Sequence, residues 1–227
     1  MRELIVNDYP KSSVTEAIKT VRTNLRFSSV GNELRTIIVT SSTAGEGKSF
    51  ISANLASAYA VGGDKVLLID CDLRRGRQDK LFGIKNKSKL GFSNLLIDDK
   101  WKNNLTKYIN KTEVDNLSII TTGAMPPNPT VLLESKRIEE VLEELKNKYD
   151  LVILDTPPVT GLTDTLILSR LSDIVLIVAR AKKVTPDVLK NTKESLEKVN
   201  ANIGGVILNG LDKANSKYYS SYYYYTE

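Results

Sequence analysis

The chain has 227 residues, 41% of them hydrophobic and 26% charged, with a net charge of +5 and no histidine. That length buries a full core as one large α/β domain or two small ones, and without histidine any His-based triad and most zinc sites are excluded, which leaves acid–base chemistry to carboxylates, lysine and tyrosine. No apolar run approaches the ~20 residues of a membrane span, the opening MRELIVNDYP lacks the apolar stretch of a signal peptide, and the lone Cys71 excludes an internal disulfide, as expected in a reducing cytosol.

The residues up to Ser12 read as an extended arm. From Ser13 onward Val14, Ala17, Ile18, Val21 and Leu25 recur at helical spacing, which predicts a helix over 13–28. LRTIIVTS (34–41), short and β-branched, predicts a buried strand. A Gly-containing turn and a helix, KSFISANLASAYAV, follow, then a second buried strand, KVLLIDCD (65–72), that ends in acidic residues. Residues 73–116 are less regular, with a short helix at FSNLLIDD. NLSIITTG is strand-like, and NPTVLLESKRIEEVLEELKNKY reads as one long amphipathic helix with Pro129 at its entry. Strand DLVILD (150–155), helix TDTLILSRL, strand DIVLIVAR (173–180), helix TPDVLKNTKESLEKV and strand IGGVILNG (203–210) complete the chain up to its tail. This alternation predicts an α/β fold with a central, mostly parallel sheet and helices on both faces. The domain is expected over 1–212, with a detached tail over 213–227.

The chemistry concentrates where strands end. TSSTAGEGKS follows the first core strand and opens a helix, and Gly47-Lys48-Ser49 is the end of a P-loop. Glycines let backbone N–H groups turn around a phosphate, and the helix N-terminus adds positive potential. Ser42 stands where GxxxxGK[ST] has its first glycine, so the strict pattern fails at one place. Asp155 ends the strand of LVILDTPP as a Walker B carboxylate, and Asp70 and Asp72 end another strand. Alternate strand residues share a face, so both are expected to point to one crevice, and nucleotide sites of open α/β sheets lie at those carboxyl ends. Any one such aspartate is equally well a cap or turn residue; three beside a P-loop point to a Mg·ATP or Mg·GTP site.

Other features have a plainer alternative. Arg74, Arg75 and Arg77 guide an anionic or tyrosine substrate, or form a solvated basic loop. Six of the ten tyrosines fall in the closing YYSSYYYYTE. Stacking on single-stranded nucleic acid would need interleaved cations, and only Lys213 and Lys217 lie near, so nucleic acid is not the expected partner.

The set SSTAGEGKS, LLIDCDLRR and LVILDTPP resembles the bacterial tyrosine kinases (BY-kinases) of capsule and exopolysaccharide synthesis, as do GAMPPNPTVLLES, GGVILN and the tyrosine-rich end. The resemblance runs over nearly the whole chain. It implies a P-loop kinase that uses ATP and Mg²⁺ to autophosphorylate Tyr218, Tyr219, Tyr222, Tyr223, Tyr224 and Tyr225, with the tail of one copy entering a neighbour's site. Ala44, Gly45, Glu46, Gly47, Lys48, Ser49, Phe50 and Asn209 are then expected to bind the nucleotide. Ser49, Asp155 and one of Asp70 and Asp72 are expected to hold the metal, and the other carboxylate to take the tyrosine proton, with Asp70 favoured as that base. Glu16, Lys19 and Arg22 occupy the family's E-x-x-R-x-x-R assembly positions, with lysine in place of the first arginine, which cannot reproduce a bidentate guanidinium contact; an i,i+3 pair on a solvated face is the alternative. The resemblance further implies a ring-forming homo-oligomer, a membrane adaptor whose cytoplasmic segment activates the kinase, a protein-tyrosine phosphatase, and a cytoplasmic location at the inner face of the membrane. Six phosphates add roughly −9 to −12 charges, enough to drive subunits apart.

The competing reading is a partition or division ATPase of the same superfamily, with dimerisation as its output. Thr43 stands where those proteins carry an extra lysine, and the chain does not end in a basic amphipathic helix.

Overall fold

The computed structural model describes residues 4–28, 33–85 and 89–211. In chain order the elements are α1 (Ile5–Asp8), α2 (Ser13–Ser28), β1 (Thr36–Ser41), α3 (Lys48–Val61), β2 (Val66–Asp70), α4 (Gln78–Leu81), α5 (Phe92–Ile97), α6 (Trp101–Asn104), a 3₁₀ turn (Leu105–Lys107), β3 (Asn110–Lys111), β4 (Leu117–Ile120), α7 (Pro129–Leu133), α8 (Lys136–Lys146), β5 (Leu151–Asp155), α9 (Asp164–Ser169), β6 (Ile174–Arg180), α10 (Pro186–Glu197) and β7 (Ile203–Asn209). The seven strands form one sheet in the order β3-β4-β2-β5-β1-β6-β7. Every pairing is parallel except the short β3 against β4.

Both faces of the sheet are buried, which is why its strands read as continuous apolar runs. Ile37 and Val39 of β1 pack toward α1, α2 and α3, while Ile38 faces the opposite core with Phe92, Leu142 and Leu168. Helix α3 lies between the sheet and α2, so residues around its whole circumference are buried, including Ala53, Leu55, Ala56 and Tyr59. A helix enclosed on all sides shows little amphipathic pattern, in contrast to α8, whose Ile138, Val141, Leu142 and Leu145 form one inward stripe. Local chemistry sets several ends. Pro129 and Pro186 sit at first helical positions, and the side chains of Asn128 and Thr185 accept hydrogen bonds from Val131 N and Val188 N.

Two expectations are corrected. The segment before Ser12 is not wholly extended: Ile5–Asp8 is a helical turn, fastened because Val6 is buried and its N–H donates to Asn54 Oδ1 at 3.1 Å. The long helix expected from Asn128 is two, because Ser135 takes an extended conformation (φ −69°, ψ 146°) and its hydroxyl donates back to Leu132 O at 2.8 Å. β3 was not read from the sequence; two residues carry no periodicity. The tail tyrosines Tyr218, Tyr219, Tyr222, Tyr223, Tyr224 and Tyr225 lie outside the described residues.

Because β1, β2, β5 and β7 run parallel, their carboxyl ends open on the same edge of the sheet. In register, Asp70 pairs with Asp155 and Val39 with Asp155. The P-loop, both acidic strand ends and Asn209 are thereby delivered to one place.

Candidate active site

The loop after β1 is held from several directions. Ser41 Oγ donates to Thr43 O at 2.8 Å. The buried Glu46 carboxylate accepts from the Thr43 hydroxyl at 2.8 Å and from the Thr43 N–H. From across the sheet edge Asn209 Nδ2 donates to Glu46 O at 2.9 Å, and Lys183 Nζ donates to Ala44 O. Glu46 thus acts on this chain as an internal brace, and Asn209 rests directly on the loop. Ser42, at the irregular first position, is buried and its hydroxyl accepts from Thr192 Oγ1 at 2.9 Å; no positive φ is found at it, so no glycine is required there. Gly47 does need to be glycine. Its φ is +98°, and a Cβ on it would lie 2.1 Å from Asn209 Nδ2. As the N-cap of α3 it supplies no capping side chain, so the first-turn N–H groups remain for an anion.

Lys48 begins α3 and is almost fully buried among carboxylates. Its Nζ lies 3.1 Å from Asp72 Oδ2 and 3.4 Å from Ser49 Oγ. Burial opposes its charge, yet Asp155, Asp72 and Asp70 together hold its pKa above the usual lysine value. Behind it, burial pushes the Asp155 carboxyl upward, with Lys48, the Gln78 amide and the Ser49 and Ser52 hydroxyls pulling it back. Burial, and then the neighbouring Asp155, push Asp70 well above the usual carboxylate range. Two carboxylates in register on adjacent buried strands resist ionising together.

The two aspartates of β2 and its exit do not share one environment. The strand ends at Asp70, and the chain turns after Asp72, over residues 73–75. Asp70 Oδ2 accepts from Arg77 N at 2.9 Å and Gln78 N at 3.0 Å, and Oδ1 from Asp72 N at 3.3 Å. The close approach of that loop is possible because residue 76 is glycine: a Cβ there would meet Asp70 Oδ2 at 2.6 Å. Asp72, by contrast, borders a cleft of about 610 Å³ with Lys48, Ser49 and Phe50. The expectation that both carboxylates look into the same crevice is corrected accordingly: Asp72 reaches it and Asp70 braces the loop beneath.

Beside Asp72 and Lys48 the cleft is lined by the basic Arg74, Arg75, Arg77 and Arg180, with Pro157 and Leu162 as apolar wall. The three arginines divide. Arg74 Nε lies 3.2 Å from Asp164 Oδ2 and its Nη2 donates to Thr130 Oγ1 at 3.1 Å. The buried Asp164 also accepts from Thr130 Oγ1 at 2.6 Å, so Arg74 is a fixed cation, whereas Arg75 and Arg77 are exposed. Sequence reasoning missed Gln78, Arg180 and Lys183. Gln78 is fully buried, and its Nε2 donates to Asp155 Oδ2 at 2.8 Å. No local motif marks any of the three.

The assembly residues lie apart from the cleft. Glu16 and Lys19 pair at 2.8 Å on the exposed side of α2, but Arg22 turns inward and donates from Nη1 to Ala58 O at 2.5 Å, near the C-terminus of α3. Among the described residues no group of three or more His, Cys, Asp or Glu forms a ready metal cage, and no helix is long and apolar enough to cross a membrane.

The chain matches the AAA domain family over residues 34–206. It is 38% identical over 226 residues to a Staphylococcus aureus protein described as a putative tyrosine-protein kinase, CapB, covering 99% of this chain and 95% of that one. With the tyrosine-protein kinase YwqD of Bacillus subtilis it shares 36% over 224 residues, 99% of this chain and 91% of the relative. Longer relatives match as well: the chain spans 29% of the Escherichia coli tyrosine-protein kinase etk, at 38% identity over 213 residues. The solved kinase domain of the E. coli tyrosine kinase ETK superposes with a TM-score of 0.87 at 36% identity, covering 94% of this chain and 82% of that one. A nucleotide-binding P-loop fold with tyrosine-kinase relatives along almost its full length leaves the partition-ATPase reading behind. The chain belongs to the bacterial tyrosine-kinase family of capsule and exopolysaccharide systems, the BY-kinases.

Proposed function

We propose that the chain transfers the γ-phosphoryl group of Mg·ATP to the tail tyrosines Tyr218, Tyr219, Tyr222, Tyr223, Tyr224 and Tyr225, presented by a neighbouring copy. The observation that carries the reading is the placement of Asp72, an acceptor at the cleft 3.1 Å from the P-loop lysine. Lys48 and the backbone of 44–49 take the phosphates, and Phe50 and Asn209 flank the nucleotide. The residues fit a divalent cation. Three carboxyl groups surround one lysine, and the buried Asp155 Oδ1 has no donor. Mg²⁺ keeps several waters and binds through one or two carboxylates and substrate phosphates, so it needs no all-protein cage. Ser49 and Asp155 would hold it, with Asp70 adding charge from behind. The cation's contribution is to neutralise the β- and γ-phosphate oxygens.

In the transfer itself the protein positions groups and neutralises charge. Phosphates arriving at Lys48 Nζ compete with Asp72 for it and release Oδ2. A phenol with a pKa near ~10 is neutral at physiological pH, so Asp72 takes its proton as the tyrosine oxygen attacks the γ-phosphorus. The bond from that phosphorus to the bridging oxygen breaks and ADP leaves. This assigns the base to Asp72 in place of Asp70, whose oxygens are engaged by loop amides. Arg74 is fixed beside the cleft, and Arg75 and Arg77 guide the incoming tail at its rim.

The regulatory cycle follows from charge. Copies assemble into a ring through the exposed side of α2 that carries Glu16 and Lys19, Arg22 bracing the helix from within. Tail phosphorylation drives the ring apart, and a protein-tyrosine phosphatase resets it. A membrane adaptor with a cytoplasmic segment activates the kinase and places it at the inner face of the membrane, where it regulates polysaccharide synthesis or export.

The test is intact-mass and peptide spectrometry after incubation with Mg·ATP. Wild type, Lys48→Met and a chain cut after Lys217 are compared, each with and without the adaptor's cytoplasmic segment. Phosphates confined to Tyr218, Tyr219, Tyr222, Tyr223, Tyr224 and Tyr225 and absent in Lys48→Met are expected. An unmodified tail beside steady ATP hydrolysis, even with the adaptor segment, refutes the reading.

A further inference from the structure

One buried side chain at the site has no part in the transfer described above. Gln78 opens the four-residue α4 and is 0% exposed. Its Nε2 lies 2.8 Å from Asp155 Oδ2, 3.0 Å from Ser49 O and 3.4 Å from Ser52 Oγ. Its backbone N–H donates to Asp70 Oδ2 at 3.0 Å. A single residue therefore touches Asp155, Asp70 and the backbone of Ser49. Two buried acceptors on this contact are left without a donor, Asp155 Oδ1 and Gln78 Oε1, and they belong to the two side chains joined by the 2.8 Å bond. Buried polar atoms are rarely left unpaired, so two such acceptors on one bonded pair call for a donor brought in with the ligand.

We infer that Gln78 is a positioning residue for the metal that accompanies the nucleotide. Its Nε2 holds Asp155 by Oδ2, which leaves Oδ1 as the oxygen presented to the metal's hydration water, and its own Oε1 accepts from the same water shell. An amide suits the task because it donates to a carboxylate without adding charge. A glutamate would add a fourth carboxyl group beside a single lysine, and a lysine would compete with the cation. The inference rests on the Mg·nucleotide reading above and is independent of which tyrosines are phosphorylated.

The experiment titrates the full chain with the fluorescent nucleotide mant-ADP, once with Mg²⁺ and once with EDTA. It reads the Kd in EDTA divided by the Kd in Mg²⁺ for wild type, Gln78→Met and Gln78→Asn. Outer-shell partners of metal sites typically change metal affinity about 10–100-fold, so Gln78→Met is expected to lower the ratio about tenfold with the Kd in EDTA unchanged. Gln78→Asn keeps the amide on a shorter stem and is expected to fall between; it decides the matter alone if Gln78→Met does not fold. A ratio unchanged in the variants, with only the melting temperature reduced, would show that Gln78 merely ties α4 to the sheet. A wild type whose affinity does not respond to Mg²⁺ would remove the metal reading and this inference together.

Discussion

Replacing Gly47 by alanine probes the packing of the phosphate loop against the last strand. The residue sits at φ +98°, ψ 16°, where a side chain costs about 1–2 kcal/mol. The new Cβ would also lie 2.1 Å from Asn209 Nδ2. That atom is the end of a side chain and can swing aside, at the loss of its 2.9 Å hydrogen bond to Glu46 O, which is worth about 1 kcal/mol net. Gly47→Ala is therefore expected to lower the unfolding free energy by about 2–3 kcal/mol. In an Asn209→Ala background the contact is already gone, and the same substitution should cost only the backbone part, about 1–2 kcal/mol. Urea unfolding of the four proteins closes the cycle, with an unchanged m value as the check that only stability moved. Equal costs in the two backgrounds would refute the claim that Asn209 braces the loop, and a cost near zero in both would refute the left-handed turn.

Two other expectations concern the face of the domain away from the cleft. Arg22→Met keeps the aliphatic stem but removes the charge-assisted bond to Ala58 O; a loss of about 2 kcal/mol is expected by urea unfolding, and one below about 0.5 kcal/mol would show that the anchor is idle. The Tyr59 hydroxyl is buried without a partner, so Tyr59→Phe is expected to stabilise by about 1 kcal/mol. Burial, opposed by Arg26, raises the Tyr59 pKa to about 12 from 10.0. A phenol that stays protonated longer in the folded state gives its full stabilisation below the unfolded pKa and loses it as pH rises through the folded one. Stability should therefore fall between pH 10.0 and about 12 in wild type, and this part of the fall should vanish in Tyr59→Phe, as thermal midpoints at about pH 9 and about pH 11 would reveal. An identical alkaline slope in both proteins would refute the assignment.

Most of the scaffold was legible because its signals are local. A helix over Ser13–Ser28 follows from the spacing of Val14, Ile18, Val21 and Leu25, and the strand runs are short and β-branched because both sheet faces are covered. Gly47-Lys48-Ser49, Asp155 and the acidic pair stand at strand ends, which can be read from order alone. The break at Ser135 was not legible, since the apolar pattern of Leu133, Ile138 and Val141 runs through it and only a local hydrogen bond stops the first helix. Nor was the inward turn of Arg22, whose partner Ala58 O lies 36 positions along the chain.

By itself the sequence determined which chemical groups the protein owns and the strand ends on which they ride. It could not assign Asp70 and Asp72 their separate places. Alternate residues share a face only while the strand continues, and β2 stops at Asp70. Beyond that point the amides of Arg77 and Gln78 close over the first carboxylate, and Lys48, at the start of α3, draws the second. Those partners come from other elements, brought together only when the parallel sheet sets its carboxyl ends side by side. Tertiary packing alone decided which aspartate supports the loop and which one borders the cleft.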